Sequence, residues 1–410
     1  MSAAAARAAE TVARTSYGRL VAILSARTRD IAGAEDALAE AFRLALETWE
    51  RDGVPDRPEA WLITVARRAI LKRVRHDAVR AGAAATLATL ADEAAAREAS
   101  EIPDERLALL FVCAHPAIDE AARTPLMLQT VLGLDAARIA AAFLVAPATM
   151  GQRLVRAKAK IKDAGIPFAV PERRELGPRL DAVLAAIYAA FGAAFDAQPG
   201  ADASDGLAAE AIHLARTLAG LMPGEPEPLG LLALVLYVEA RAPARRGPDG
   251  GFVPLAEQDP RLWRRDAIIE AEAALTGAAR MARPGRYQTE AAIQAVHSAA
   301  GMTGRREPAA LAALYDVLAA QAPSVGVAVA RAAAYGEAYG PLAGLAALDA
   351  LAAQADLSAY QPAFAARAHL LAAAGRQGEA AFAYERAIAL ARDGAVRAFL
   401  EARRASLAAA

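Results

Sequence analysis

Runs such as "AAAARAAETVAR" and "AEDALAEAFRLALETW" recur along this chain, rich in alanine and poor in β-branched residues. Alanine is the strongest intrinsic helix former, so an all-α fold is the first expectation. With 410 residues there is room for two or three domains. The formal net charge is −1, so nothing about the whole molecule demands a polyanionic partner, and any nucleic-acid surface must be local. The single cysteine excludes an internal disulfide framework, which fits a reducing cytoplasm. The opening "MSAAAARAAETVAR" lacks the apolar core of a signal peptide. No later apolar run is long and charge-free enough to span a bilayer. The expectation is a soluble, cytoplasmic protein with no membrane partner.

Composition divides the chain. In residues 1–82, Leu38, Phe42, Ala45, Leu46 and Trp49 follow helical spacing, with Glu35, Asp36, Glu40 and Glu47 facing elsewhere. After the turn "ERDGVPDRP", a second helix begins near Pro58. Residues 83–101, "AAATLATLADEAAAREAS" and its neighbours, show no clear core face and read as linker or loose helix. Residues 102–165 form another compact block, and 166–176, broken by prolines, read as a hinge. From 177 to 410 the pattern is helical again, cut by Pro/Gly loops. The longest loop, "RAPARRGPDGGFVPLAEQDP", contains an Asp-Gly-Gly turn suited to a small hairpin. Near the C-terminus, 367–390 and 331–351 resemble tetratricopeptide helix pairs about 35 residues apart. Such pairs bury their faces by stacking, so a further pair is expected upstream, with "LGLLALVLYVEAR" the candidate.

The four lysines are distributed unevenly: Lys72, Lys158, Lys160 and Lys162. Residues 134–162 parse as helix, short turn, helix, with Asp135 a suitable N-cap and Pro147 at the first position of the second helix. On that second helix Met150, Leu154, Ala157 and Ile161 fall on one face. Gln152, Arg153, Arg156 and Lys160 fall on the other. A helix apolar behind and basic-plus-amide in front suits major-groove insertion. Its cations neutralise phosphates, while arginine and glutamine pair with purine edges. The plainer reading is a solvated basic face.

A second cationic row stands on the 59–76 helix. Arg68, Lys72 and Arg75 recur at i, i+4, i+7, flanked by Arg67 and Arg73, with Trp61 at the helix start. Aromatic surface beside a basic row suits single-stranded DNA. Taken alone, Trp61 reads as a core tryptophan under a solvated helix. If both helices touch one polyanion, the crowding of lysines is explained.

These segments carry a resemblance. "AEDALAEAFRLALETW", "PEAWLITVARRAILKRVR" and "TMGQRLVRAKAKIK" resemble regions 2 and 4 of bacterial sigma factors of the extracytoplasmic-function class. The order of a region-2 domain, a region-4 domain and a long extension with tetratricopeptide-like helices is similar to one subgroup, over nearly the whole chain. The resemblance implies that residues 1–82 bind core RNA polymerase, through the helix bearing Asp36, Glu40 and Phe42. It implies that Trp61, Arg67, Arg68, Lys72 and Arg75 capture unpaired bases of the −10 element, which costs on the order of a few kcal/mol per unstacked base. It further implies that residues 102–165 read the −35 element as duplex, through Thr149, Gly151, Gln152, Arg153, Val155, Arg156 and Lys160. Residues 177–410 would modulate activity through an intramolecular or protein partner. No cofactor, metal or catalytic residue is implied.

This chain departs from the family pattern at three points. Arg68 and Lys72 stand where many members carry an amide and a carboxylate. Gly151 occupies a position that is often polar. The motif opening the extension is here "FGAAFDAQ", residues 191–198. Other features read as structural. Cys113 and His115 lack a second ligand pair at zinc-like spacing. His213, His297 and His369 are isolated, and the tyrosines at 335, 339, 360 and 384 sit at repeat positions and are expected to pack. Glu257 and Asp259 alone make no acid/base pair. No phosphate-cradling loop or nucleophile motif is present, so no enzyme is read. The competing expectations are a free-standing helix-turn-helix regulator with a sensory helical domain, and a repeat-based interaction scaffold.

Overall fold

The structure, a computed structural model, describes residues 3–80, 105–131, 133–143, 145–169, 171–195 and 202–407. The expected linker at 83–101 lies outside the described residues, as do residues 196–198 of the 191–198 motif. All the regular structure among the described residues is helical. The contacts divide the chain into two units, residues 1–218 and 219–410.

The first unit opens with three helices that pack on one another: α1 (Ala3–Thr28), α2 (Ile31–Asp52) and α3 (Pro58–Arg80). Asp30 caps α2, its carboxylate accepting from the Gly33 N–H at 2.9 Å. The buried stripe of α2 runs Ile31, Ala34, Leu38, Ala41, Ala45, Trp49. Phe42 and Leu46, which share its helical spacing, are only half-buried.

Next come α4 (Arg106–Cys113), α5 (Glu120–Thr130), α6 (Ala136–Ala142), α7 (Pro147–Asp163) and α8 (Arg173–Phe195). Every residue of α4 is buried, consistent with a helix apolar all round. Cys113 lies against Thr130, its sulfur 3.6 Å from the hydroxyl, and burial pushes the thiol up to about 12. His115 Nδ1 accepts from the Ala117 N–H, a local turn bond. Cys113 is thus a core residue, and His115 closes a turn. Helix α8 rests on α4 and α5, so the division of contacts falls after it, at 218/219, rather than at the proline-rich break before 177. Helix α9 (Asp202–Leu221) contributes Glu210, which pairs with the buried Arg106.

Helix α1 also meets α4 and α5. At Gly18 the approach is backbone to backbone: a Cβ there would overlap the carbonyl oxygen of Val131. Since that neighbour is main chain, it cannot swing aside. The G18A variant is expected to lose about 1–3 kcal/mol of stability, read as a lowered melting temperature by circular dichroism, through overpacking. An unchanged melting temperature would contradict this close approach.

The second unit is built around α10 (Pro226–Ala240), whose residues 230–237 are all buried, against α11 (Arg265–Ala279) and α12 (Arg286–Thr303). The Glu227 carboxylate accepts from the N–H groups of Tyr287 and Gln288 at 2.9 and 3.2 Å, so α10 caps the start of α12. Helix α13 (Pro308–Gln321) leads to the pairs α14/α15 (Val325–Tyr339, Pro341–Ala352) and α16/α17 (Gln361–Ala373, Gln377–Leu390), then α18 (Gly394–Ser406). Leu345, Leu348, Leu370, Leu371 and Tyr384 form their shared core. The repeat-like segments 331–351 and 367–390 thus fall on two stacked helical pairs.

The loop expected to form a hairpin has a single antiparallel bridge, Arg246 to Phe252, around Gly250 in the left-handed region at φ 79°. The loop instead reaches the last helix. Phe252 meets Phe399 edge-on at 5.4 Å, and Arg246 pairs with Asp393 at 2.5 Å. Of the tyrosines expected to pack, Tyr384 is buried, but Tyr339 is 60% exposed. It is the last residue of α14, beside the Gly340 turn, and its ring leans on Tyr335 at 5.4 Å.

Candidate nucleic-acid interface

Helix α3 turns Leu62, Ile63 and Ala66 into the three-helix core. The opposite side carries Arg68, Lys72 and Arg75, all exposed, with Arg67 half-buried at the edge. Among the described residues no ion pair engages Arg68 or Lys72. Arg73, expected to flank the row, instead turns toward α2 and pairs with Asp36 at 3.3 Å. The helix start is anchored from α1, where Ser16 donates to Glu59 and Arg19 lies 3.6 Å from the same carboxylate. Trp61 is half-buried and packs edge-on against the buried Trp49, centroids 5.5 Å apart at 65°. It thus combines the core and surface readings, with one side of the indole in the bundle and the remainder at the surface.

Helix α7 starts at Pro147, after Ala146 in extended conformation, and the preceding helix is capped by Asp135, which accepts from the Ala137 and Arg138 N–H groups. Met150, Leu154, Ala157 and Ile161 are buried, as the spacing predicts. Thr149, Gln152, Val155, Arg156 and Lys160 are exposed, Val155 by 68%, while Gly151 and Arg153 are half-buried. Arg153 donates to the Ala121 carbonyl at 3.3 Å, and Arg156 Nε to the Gln152 carbonyl at 3.4 Å. A Cβ at Gly151 would meet nothing within 4 Å, so packing does not demand glycine there. The exposed surface offers guanidinium and ammonium groups, an amide and an apolar methyl pair. These are the groups that pair with phosphates, purine edges and the thymine methyl.

The lysines of α7 divide. Lys160 points outward, but Lys158 and Lys162, one turn apart, bond to Glu35 and Asp30 of α2. Two of the three lysines crowded on this helix are thus accounted for by pairs within the chain. Lys158 and Lys162 lie on the flank between the buried and exposed stripes, and α2 lies along that flank. Nothing in the local pattern marks Asp30 and Glu35 as their partners; only the docking of two segments over 120 positions apart does.

On α2, Asp36 and Glu40 share an exposed face with Arg43 and Glu47, and Phe42 sits half-buried beside them. Arg43 bridges Glu40 at 2.7 Å and Glu47 at 2.5 Å. The hydrogen bond from Arg43 holds the Glu40 carboxyl below the usual carboxylate range.

Comparison with known proteins bears on the first three helices and on the segment after α7. Residues 12–79, spanning most of α1 to α3, match the Sigma-70 region 2 family, and residues 179–279 match a family of unknown function, DUF6596. An uncharacterized protein of Rhizobium meliloti (strain 1021) is 40% identical over 380 residues, covering 91% of this chain and 89% of that one. No solved structure matches. A Sigma-70 region 2 domain supports a sigma-factor role in transcription initiation, which is non-enzymatic, and implies binding to core RNA polymerase and promoter DNA. No described helix is long and apolar enough to cross a membrane. The chain belongs to the family of that rhizobial protein and carries a Sigma-70 region 2 domain at its N-terminus.

Proposed function

We propose that this protein is a sigma factor of the extracytoplasmic-function class. It docks on core RNA polymerase through the α2 face bearing Asp36, Glu40 and Phe42. The α3 row then takes the melted −10 strand while α7 reads the −35 element as duplex. Unit 219–410, with its stacked helical pairs, modulates initiation through an intramolecular or protein partner. The observation that carries this reading is the coincidence of the region 2 match with Arg68 and Lys72, exposed on α3. Flipped bases and their phosphates need such a surface.

The full chain is expected to co-elute with core RNA polymerase on gel filtration while binding promoter duplex weakly by itself. A free-standing regulator would behave the opposite way, binding paired half-sites tightly without polymerase. A scaffold would show no salt-dependent DNA association even in the polymerase complex. Failure to co-elute would contradict the proposal.

A further inference from the structure

Two of the three ammonium groups on α7 are held by carboxylates of the same chain. Lys158 Nζ donates to both carboxylate oxygens of Glu35, at 2.8 and 2.6 Å, with the side chains only 11% and 19% exposed. One turn on, Lys162 Nζ donates to Asp30 Oδ2 at 2.6 Å. Burial resists ionisation of Asp30. Hydrogen bonds from Lys162 and the Gly33 N–H, with the charges of Lys162 and Arg73, outweigh it and hold the carboxyl below its ordinary range.

A carboxylate oxygen on an ammonium has the geometry of a phosphate oxygen on an ammonium. We propose that Asp30 and Glu35 act as phosphate surrogates, so that docking of α2 on α7 and binding of duplex DNA by α7 oppose each other. This rests on reading α7 as the duplex-reading helix. In the docked form two cations of α7 are neutralised, and two acids stand along its flank where they repel phosphates. When α2 withdraws, α7 gains two ammonium groups beside Arg156 and Lys160. Linkage makes the effect reciprocal: bound duplex loosens the seam by the same factor by which the seam weakens duplex binding.

The packing of the seam allows such an exchange. A cavity of about 350 Å³, lined by Tyr17, Gln129 and Asp135 among others, flanks the Glu35–Lys158 pair. There the lysine can change partners without repacking a filled core, unlike the backbone contact at Gly18. The arrangement holds the free chain in a form of low duplex affinity.

The test uses the full chain, without polymerase, and fluorescence anisotropy on a labelled duplex across a salt series. The D30N/E35Q variant keeps an N-cap at position 30 and a hydrogen-bonding amide at 35. It is expected to bind about tenfold more tightly at 100 mM salt. Its log–log salt slope is expected to steepen by up to about 2, since each freed cation that meets a phosphate adds roughly 0.9. The E307Q/E401Q control makes the same change in net charge on the second unit. Adding K158Q/K162Q to D30N/E35Q is expected to cancel the gain, with circular dichroism verifying the fold. If D30N/E35Q binds no tighter than the control, the surrogate proposal is overturned. The R156A/K160A variant separates the two ideas. If it weakens binding while D30N/E35Q changes nothing, only the surrogate proposal fails. If neither changes binding, the reading of α7 fails as well.

Discussion

Replacing Arg68 and Lys72 by alanine is expected to reduce promoter-dependent initiation at least tenfold while co-elution with polymerase stays intact. Both side chains are exposed on a helix whose other side is buried, so their removal takes charge from the surface without opening the core. The loss should appear at strand separation. Permanganate reactivity of the melted thymines should fall, and the salt slope for single-stranded −10 DNA should drop by about 1.4, near 0.7 for each lost phosphate contact. In this chain the two positions carry cations where the resemblance leads one to expect an amide and a carboxylate. Restoring the family pattern as R68N/K72D should therefore weaken binding to the single strand by more than alanine does, because Asp adds repulsion. Equal initiation by wild type and R68A/K72A would remove α3 from the promoter-melting role.

The second large effect is expected on α7. Arg156 is exposed beside Gln152 and Val155, and in the proposed reading it pairs with a guanine edge. The R156A variant is expected to lose about 1–3 kcal/mol of −35 binding, and to relax discrimination at one base position. Lys160, one turn further, is exposed, and in the proposed reading it meets a phosphate. The K160A variant should weaken binding evenly across sequences and lower the duplex salt slope by about 1. Footprinting of the polymerase complex on a panel of −35 variants reads both. If R156A lowers all sequences equally, Arg156 holds the backbone and another residue reads the bases.

Much of this was legible in the sequence because it depends on local periodicity. The buried stripe of α7, its start at Pro147 and the Asp135 cap follow from spacing within about 30 residues, and the exposed basic face follows from the stripe. The cation row of α3 was legible for the same reason. Other features depend on tertiary docking. Asp30 and Glu35 find Lys162 and Lys158 only because α1 and α2 pack on the later helices, with Gly18 letting Val131 come close. Arg73, which flanks the row in sequence, pairs with Asp36 of the neighbouring helix, a partner the local spacing does not indicate. Phe42 follows the helical spacing, yet it stays half-buried at the edge of the stripe that α2 buries. The loop at 241–264 carried a hairpin signal in its glycines, but its aromatic residue finds a partner in α18, about 150 residues on.

The decisive measurement is transcription by core RNA polymerase reconstituted with the full chain on genomic DNA, with start sites mapped at single-nucleotide resolution. A set of new start sites that share −10 and −35 elements, and that vanish with R68A/K72A, is the predicted result. Polymerase that neither retains the protein nor starts at any new position in its presence would contradict the sigma-factor assignment outright.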